Sequence, residues 1–489
     1  MSEGPNFRIT AMVVASALFM QNFDSTVVAT ALPSMARGLR VNPIHLSSAI
    51  TAYVVALTVF IPISGWVADR FGAKRVFMAA IAVFTTASAL CALSSGLAEL
   101  VAARILQGTG GAMMVPVGRL LLLRRVRRDE LLTATTWLTM PALIGPLLGP
   151  PVGGLITDAI SWQAVFWINI PVGAIGMLLI HRFIEPTEAQ CPPAPDIAGM
   201  ALVGTALAAL MAGLETAGRG LIPPAVTAAV VGLGVGVGIL AVRHCRRVAN
   251  PVVDFGLLAI PTFRVTTVAG SMFRAGAGAI PFLVPLTLQL GFGVSASRSG
   301  MITLAGTLGS LCMRSMTRFA LRWFSVRAVL LISTLGLAST MGVSSTFSPG
   351  WPLAAVFAVL LFGGLSRSLG FASMGALTYA DIPQARLSAA TSLSGAAQQL
   401  PRAIGIAVTA GTMQVTMLLA GRQSPTRLDF TAAFIAGACL VLGSLPLFAA
   451  LPADAGAGIS EDKRRRKTAP GDERESPSPS LASAKGGRG

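Results

Sequence analysis

The sequence predicts an all-α, polytopic membrane protein, and two observations support this: its composition and the length of its apolar runs. Of the 489 residues, 53% are hydrophobic and 12% are charged, against roughly 25% charged in a soluble domain. Mean hydropathy is +0.72. The apolar runs are about twenty residues long, which suits helices that cross the hydrocarbon core, whereas barrel strands alternate over ~10 residues. Only helices and closed barrels satisfy the backbone in lipid, so helices are expected.

Fourteen apolar runs qualify as membrane-spanning helices. The predicted spans are residues 9–32, 47–68, 76–95, 99–123, 132–157, 163–183, 197–216, 222–242, 264–290, 299–320, 327–347, 352–375, 392–420 and 430–451. The seventh and eighth are the weakest of these, and re-entrant or peripheral segments are the alternative. Cations concentrate in the loops after spans two, four, eight and ten. This bias predicts that both termini are cytoplasmic.

A faint internal repeat divides the chain. VADRFGAKRV at 67–76 is echoed by FALRWFSVRAV at 319–329, about 252 residues later. Transporters are often built from two such six-span halves with the substrate site between them. The predicted domains are a cytoplasmic N-terminus (1–8), a first six-helix half (9–183), a linker with two extra helices (184–262), a second six-helix half (263–451) and a disordered basic tail (452–489).

The turn between spans two and three, GWVADRFGAKR at 65–75, combines glycines with paired charges. Glycine permits close helix contact and tight turns, and Asp69 at a helix end can pair with a loop cation or a neighbouring helix start. We therefore predict a cytoplasmic gate loop. The alternative is a charged loop that only sets orientation. The gate residues would be Gly65, Asp69, Arg70, Gly72, Lys74 and Arg75.

The fifth span contains GPLLGPPVGG at 145–154. Its glycines, at or near four-residue spacing, predict a flat stripe for close helix packing, and its prolines favour a kink. A kinked helix of this kind can hinge the two halves, although a merely packed helix is the simpler alternative. The predicted hinge residues are Gly145, Pro146, Gly149, Pro150, Gly153 and Gly154.

Asp24 lies in the middle of the first apolar run, where a charge is costly and is usually paired or functional. Span one runs outward from about Ile9, so at 1.5 Å per residue Asp24 lies ~22 Å along it, in the outer half of the membrane. Span four runs inward from about Glu99, so Arg104 lies ~8 Å from the outer side. The two side chains are therefore expected at the same depth, facing the interior. They form a predicted proton-coupling pair, with a purely structural ion pair as the alternative.

Three arginines of the second half, Arg274, Arg367 and Arg402, are predicted at middle depths. A cavity with several arginines and one carboxylate favours an anionic substrate. The alternative is that these arginines bind backbone carbonyls or lipid phosphates. Arg119, nearer a cytoplasmic end, is expected to reach the headgroups. The predicted substrate cavity comprises Gln21, Asp24, Gln107, Arg274, Arg367, Gln398 and Arg402.

Several motifs together resemble one family. The 65–75 loop is similar to the signature loop of the major facilitator superfamily. RILQGTGGAMMVP at 104–116 resembles the fourth-helix motif of its proton antiporters, and GPLLGPPVGG resembles their fifth-helix motif. FDSTVVATALP at 23–33 resembles the first-helix motif of its fourteen-span drug:proton antiporters. SWQAVFWINIPVG follows at 161–173. The resemblance covers about residues 10 to 450 and is greatest to the MdtD-like branch. Ala29 stands where that family usually has Asn, and Leu321 and Phe324 replace Asp69 and Gly72 in the second copy of the loop.

The resemblance implies a major facilitator fold and the export of lipophilic drugs in exchange for protons, with no cofactor. We therefore predict a multi-pass antiporter of the bacterial inner membrane whose partners are a small molecule, protons and the bilayer. An exporter of an organic anion or anion–metal chelate is the alternative, and a channel or a membrane-embedded enzyme are more distant rivals. The sequence has no phosphate-binding GxxxxGK[ST] loop for ATP, no metal-ligand spacing and no folded basic domain for nucleic acid.

Overall fold

The computed structural model describes residues 7–41, 43–124, 126, 130–185, 194–217, 223–294, 296–422, 425–452 and 455. The predicted cytoplasmic residues 1–6 and nearly all of the predicted basic tail lie outside this part of the chain. The side chains of Pro146 and Pro150, two of the predicted hinge residues, also lie outside what is described.

The described chain is built from α-helices, as the sequence predicts. The helices are α1 (Phe7–Leu39), α2 (Pro43–Phe60), α3 (Ser64–Phe71), α4 (Ala73–Leu93), α5 (Leu97–Leu123), α6 (Leu131–Ala159), α7 (Ala164–Trp167), α8 (Asn169–Phe183), α9 (Ile197–Ala217), α10 (Pro224–Cys245), α11 (Pro261–Leu286), α12 (Ala296–Trp323), α13 (Val326–Ser344), α14 (Leu353–Ala380), α15 (Leu387–Leu419), α16 (Arg427–Leu442) and α17 (Leu445–Ala449). Twelve segments of the described chain are long and apolar enough to cross a membrane. Helices α6 and α12 occupy the two remaining predicted spans, so the fourteen-helix arrangement holds.

Three predicted spans contain interruptions that the hydropathy pattern does not reveal. A 3₁₀ turn at Ile61–Ile63 separates α2 from α3, and Ile168 separates α7 from α8. Proline lies at both places, Pro62 within the turn and Pro171 just after the second break. Proline removes a backbone donor, which interrupts the ladder of hydrogen bonds. Helix α11, which has Pro281 and Pro285 in its interior, continues into a π-helical turn at Thr287–Gly291.

The helices form two six-span halves, α1–α8 and α11–α17, with α9 and α10 between them in the chain. In the first half α1 packs along α6, and in the second α12 packs along α14. We call the end of the bundle at which α1 begins the base, and the opposite end the distal end. One apolar core joins the halves at the base, where Phe77 and Leu121 share a cluster with Leu387. Two further cores each belong to a single half.

The extra pair of helices lies along the side of the bundle. Helix α9 contacts α10, and it also contacts α2 of the first half and α15 of the second. Helix α10 is peripheral, with 11% of its span buried. Each of the two helices is continuous and is long and apolar enough to cross a membrane. Asp196, just before α9, bonds His244 near the end of α10 at 2.8 Å and ties the pair together.

Candidate transport site

A buried ion pair joins α1 to α5 in the first half. Arg104 Nη1 donates to Asp24 Oδ2 at 2.6 Å, and the two side chains are 1% and 0% exposed. The sequence predicted that they lie at one depth, and the structure brings them into contact. An ion pair so completely removed from solvent loses little energy to screening. Removing either partner would leave an uncompensated buried charge, which typically costs about 3–5 kcal/mol.

Amide side chains complete the coordination of the Asp24 carboxylate. Gln107 Nε2 and Asn169 Nδ2 donate to Oδ1 at 3.1 and 2.9 Å, so both carboxylate oxygens are hydrogen-bonded. Gln107 Oε1 also accepts from Arg104 at 2.5 Å. The Asp24 carboxylate on α1 therefore receives hydrogen bonds from side chains of two other helices, α5 and α8.

Aromatic rings enclose the charged pair. The guanidinium carbon of Arg104 lies 4.5 Å from the centre of the Tyr53 ring and 5.8 Å from that of Phe166. A cation over an aromatic face is stabilised by the quadrupole of the ring. Gln21, a predicted cavity residue, is buried close by, since a Cβ on Gly111 would lie 3.2 Å from Tyr53 Oη and 3.6 Å from Gln21 Nε2. The first half thus holds a polar cluster inside an apolar shell.

The predicted gate loop lies at the base, where the two halves meet. Asp69 Oδ1 accepts from Arg124 Nη2 at 2.8 Å, and Oδ2 accepts a short hydrogen bond from Ser388 Oγ of the second half. Gly65 packs against the backbone of Ser388, where a Cβ would lie 2.7 Å from the carbonyl oxygen. The partners of Asp69 are therefore the end of α5 and the start of α15 rather than the adjacent loop cations.

The rest of the loop turns the chain and faces outward. Gly72 adopts φ +85°, a conformation that L-residues rarely take. Arg70 and Arg75 are exposed, and Lys74 donates to the His181 carbonyl at 3.1 Å. Further hydrogen bonds join the halves nearby, one between the Ser64 and Ser392 hydroxyls and one from Arg119 to Tyr379, both at 3.1 Å. The base is closed in this structure.

The glycine stripe of α6 lies against α1. A Cβ on Gly145 would meet the Phe23 backbone at 2.9 Å, one on Gly149 the Thr26 hydroxyl at 2.1 Å, and one on Gly153 the Thr30 hydroxyl at 2.7 Å. These glycines therefore set how closely α1, the helix that carries Asp24, approaches α6. Gly154 is different: it has open space beside it and lies off this face.

The predicted arginines of the second half occupy separate surroundings. Arg274 Nη1 donates to the Thr266 carbonyl at 3.4 Å, and Arg367 Nη2 donates to Ser310 Oγ at 3.1 Å. Arg402 is exposed, with its stem against Gly278. Gln398 turns back onto its own helix and bonds Ser394. Arg367 Nη2 also donates to the Gly306 carbonyl at 3.4 Å. Arg274 and Arg367 thus each contact a backbone carbonyl, which is one of the two partners that the alternative interpretation named.

Arg119 corrects the sequence-based expectation. Instead of reaching the headgroups, it bonds Tyr379 of the second half and is the charged neighbour of Arg274. Two further residues, Asn169 and Ser88, also escaped prediction. Ser88 Oγ accepts from Asn169 Nδ2 at 2.9 Å and donates to the Phe166 carbonyl. An isolated amide inside the apolar run of span six is the signal that could have identified Asn169.

Two helical halves that meet at a closed base, with a buried ion pair in one of them, are the architecture of a membrane transporter. The family model described as Major Facilitator Superfamily matches residues 14–406. The chain belongs to the Major Facilitator Superfamily.

Relatives and solved structures agree with this assignment. The chain is 36% identical over 462 residues to a protein of Escherichia coli O157:H7 named "Putative multidrug resistance protein MdtD", covering 93% of this chain and 97% of the relative. A protein of the same name from Pectobacterium carotovorum subsp. carotovorum (strain PC1) is 36% identical over 460 residues, covering 93% and 98%.

Two solved structures share the fold at 15% identity. The human organic anion transporter MFSD10 (TETRAN) has a TM-score of 0.65 and matches 91% of this chain and 100% of its own. The proton:xylose symporter XylE, bound to 6-bromo-6-deoxy-D-glucose, has a TM-score of 0.63 and matches 92% and 96%. At this identity the likeness concerns the fold alone.

Proposed function

We propose that the protein is a proton-coupled antiporter of the bacterial inner membrane that exports small molecules, with multidrug efflux as its activity. The observation that carries this proposal is the fully buried Asp24–Arg104 pair. A carboxylate is the natural proton carrier at such a site, since it changes charge on binding one proton. Relatives named for multidrug resistance support the choice of substrate.

The coupling would work through charge compensation. With Asp24 ionised, Arg104 and the two amides hold it, and the pair is electrically neutral. Protonation removes the negative charge and leaves Arg104 buried without its counterion, which is unfavourable in a low-dielectric interior. The site then relaxes by a rearrangement that brings Arg104 new compensation. This change in preference between two states is what a proton gradient needs in order to drive exchange.

The orientation follows from the charges. The base carries Arg124 and the exposed arginines of the gate loop, so we place the base and both termini in the cytoplasm. The closed base then corresponds to a state in which the cavity faces outward, held by Asp69 and the serines of α15. Alternating access would proceed by opening this seam.

The test uses purified protein in proteoliposomes with an imposed pH gradient and the cationic dye ethidium. Wild-type protein should move the dye against its gradient in exchange for protons. Asp24→Asn should abolish gradient-driven transport while the protein still inserts and remains monodisperse. Arg402→Gln, which changes an exposed arginine outside the ion pair, is the matched control and should transport normally. Wild-type rates in Asp24→Asn would refute the role of Asp24.

A second candidate, the export of an organic anion, is favoured by one observation. Arg119 of the first half and Arg274 of the second act electrostatically on each other, and Tyr379, which Arg119 bonds, also acts on Arg274. No carboxylate in the described part of the chain forms an ion pair with either arginine. An anion would supply the missing negative charge, and the guanidinium fork matches a carboxylate. In this second candidate, the anion would bind Arg274 together with Arg119 of the first half, instead of the three arginines proposed from the sequence.

The two candidates differ in measurable ways. If the anion is the substrate, carboxyfluorescein should be exported and Arg274→Gln should reduce its binding, whereas Arg402→Gln should not. Export of ethidium alone, unaffected by Arg274→Gln, would eliminate the anion candidate and leave the first.

A further inference from the structure

Asn169 occupies an unusual position beside the carboxylate. It is the first residue of α8, directly after the break at Ile168, and it is 1% exposed. Its Nδ2 donates to Asp24 Oδ1 and to Ser88 Oγ, both at 2.9 Å. Both hydrogens of this amide are therefore used, and one side chain links α1, α4 and α8.

The other end of the amide is unsatisfied. Asn169 Oδ1 is buried and has no hydrogen-bond partner among the described residues. A buried acceptor without a partner is unfavourable, and native proteins rarely retain one without reason. Rotation of the amide by 180° would exchange Oδ1 with Nδ2 and place the acceptor within hydrogen-bond distance of Asp24 Oδ1.

This exchange matches the needs of a carboxyl group that gains and loses a proton. An ionised carboxylate only accepts hydrogen bonds, whereas the protonated acid also has one O–H to donate. Gln107 is poorly suited to accept that proton, because its Oε1 already accepts from Arg104. Asn169 Oδ1, by contrast, is a buried acceptor without a partner, and it belongs to an amide that already contacts Asp24 Oδ1.

We infer that Asn169 is a positioning residue that serves both protonation states of Asp24. Its amide donates through Nδ2 to the carboxylate and, after rotation, accepts through Oδ1 from the protonated acid. Because Asn169 is the first residue of α8, each rotation changes the hydrogen bond that connects α8 to Asp24 on α1. This inference rests on the proposed function, in which Asp24 carries the proton.

Among the described residues, three other charged or titratable groups act on Asp24. Arg104 faces it from α5, Tyr53 from α2 and Cys91 from α4. On the α6 side, Gly145 and Gly149 lie against the α1 backbone and side chains at Phe23 and Thr26. Helix α8 contributes the Asn169 amide, which has no charge. A change at Asn169 therefore alters the hydrogen bonding of Asp24 without altering the charges around it.

The experiment measures the protonation of Asp24 directly, without a substrate. Infrared difference spectra of the purified protein are recorded over a pH series, and the protonated carboxyl band of Asp24 is assigned by its loss in Asp24→Asn. In Asn169→Leu, similar in size but unable to form hydrogen bonds, the midpoint should move to higher pH by up to about one unit, or about tenfold in proton affinity. This follows because the bond lost by the ionised form is stronger than the bond lost by the neutral form.

Control variants separate positioning from folding. Ser88→Ala removes the second contact of the amide, together with the Ser88 bond to the Phe166 carbonyl, but keeps the bond from Asn169 to Asp24. It should therefore shift the midpoint less than Asn169→Leu does. Asn169→Ala, which introduces no extra bulk, should shift it in the same direction as Asn169→Leu. An unchanged midpoint in both Asn169 variants would overturn the inference while leaving the role of Asp24 intact. If no Asp24 band titrates in the wild type, the proposed function fails as well.

Discussion

Replacement of Gly149 by alanine tests whether the contact between α1 and α6 is as close as the structure indicates. The added Cβ would lie 2.1 Å from Thr26 Oγ1 and 2.8 Å from Thr26 Cβ. The hydroxyl is held by hydrogen bonds to the Asn22 and Phe23 carbonyls at 3.0 and 2.9 Å. Rotation of Thr26 would break these bonds and would not relieve the contact with its Cβ. The two helices must therefore separate.

The magnitude follows from two opposing effects. Alanine is intrinsically favoured over glycine in a helix by about 1 kcal/mol, whereas overpacking a close contact costs about 1–3 kcal/mol. Because both atoms that the Cβ would meet belong to one constrained side chain, we expect the upper part of that range. Gly149→Ala should therefore destabilise the protein by about 1–2 kcal/mol net.

Gly154 provides a matched control on the same helix. It has open space where a Cβ would lie, so Gly154→Ala should leave stability unchanged or slightly improved. Thermal unfolding in detergent, followed by dye export in proteoliposomes, compares the two variants under identical conditions. Gly149→Ala should melt at a lower temperature and transport more slowly. If the two alanine variants behave alike, α6 does not limit the approach of α1 and the packing argument is wrong.

Two further predictions concern the base and the linker. Asp69→Asn weakens the bonds to Arg124 and Ser388 and should open the base more often. A cysteine placed at Ser392, in a background without the native cysteines, should then react faster with an impermeant maleimide added on the cytoplasmic face. Equal reaction rates with and without the substitution would contradict a gating role. Burial raises the pKa of Asp196, but hydrogen bonds with His244 and the Gly199 amide outweigh it and hold that pKa below its usual value. The ionised Asp196 therefore stabilises the folded protein above about pH 4, and this stabilisation is lost as the pH falls through the lowered pKa. The difference in melting temperature between wild type and Asp196→Asn should shrink in acid. A difference that stays constant with pH would show that the Asp196 charge does not contribute to stability.

The helices and the depth of the ion pair could be predicted from the sequence because each depends on distance along the chain. Apolar runs of a given length must cross the bilayer, and a fixed rise per residue places Asp24 and Arg104 at one level. Contacts that depend on rotation about a helix axis could not be predicted in this way. Ser388 and Asn169 are short polar residues whose partners lie 319 and 145 residues away, and nothing local to either indicates that partner.

The arginines show where composition misled the prediction. Counting cations at middle depth grouped Arg274 with Arg367 and Arg402, but the structure gives each different neighbours. It also joins Arg119 to the opposite half, although its position near a helix end suggested contact with headgroups. Long side chains extend far from their Cα atoms, so depth alone does not fix where a guanidinium lies.

The position of α9 affects how molecules in the bilayer can reach the junction between the two halves. Helix α9 lies across α2 and α15, one helix from each half, and so covers that side of the junction with protein. The other side of the junction is formed where α6 meets α12 and α14, without an additional helix over it among the described residues. A lipophilic molecule that enters sideways from the lipid therefore meets an asymmetric protein, walled on the α9 side and accessible beside α6. If the halves rock as proposed, α2 and α15 must both slide past one shared helix, which restricts how far that side can part.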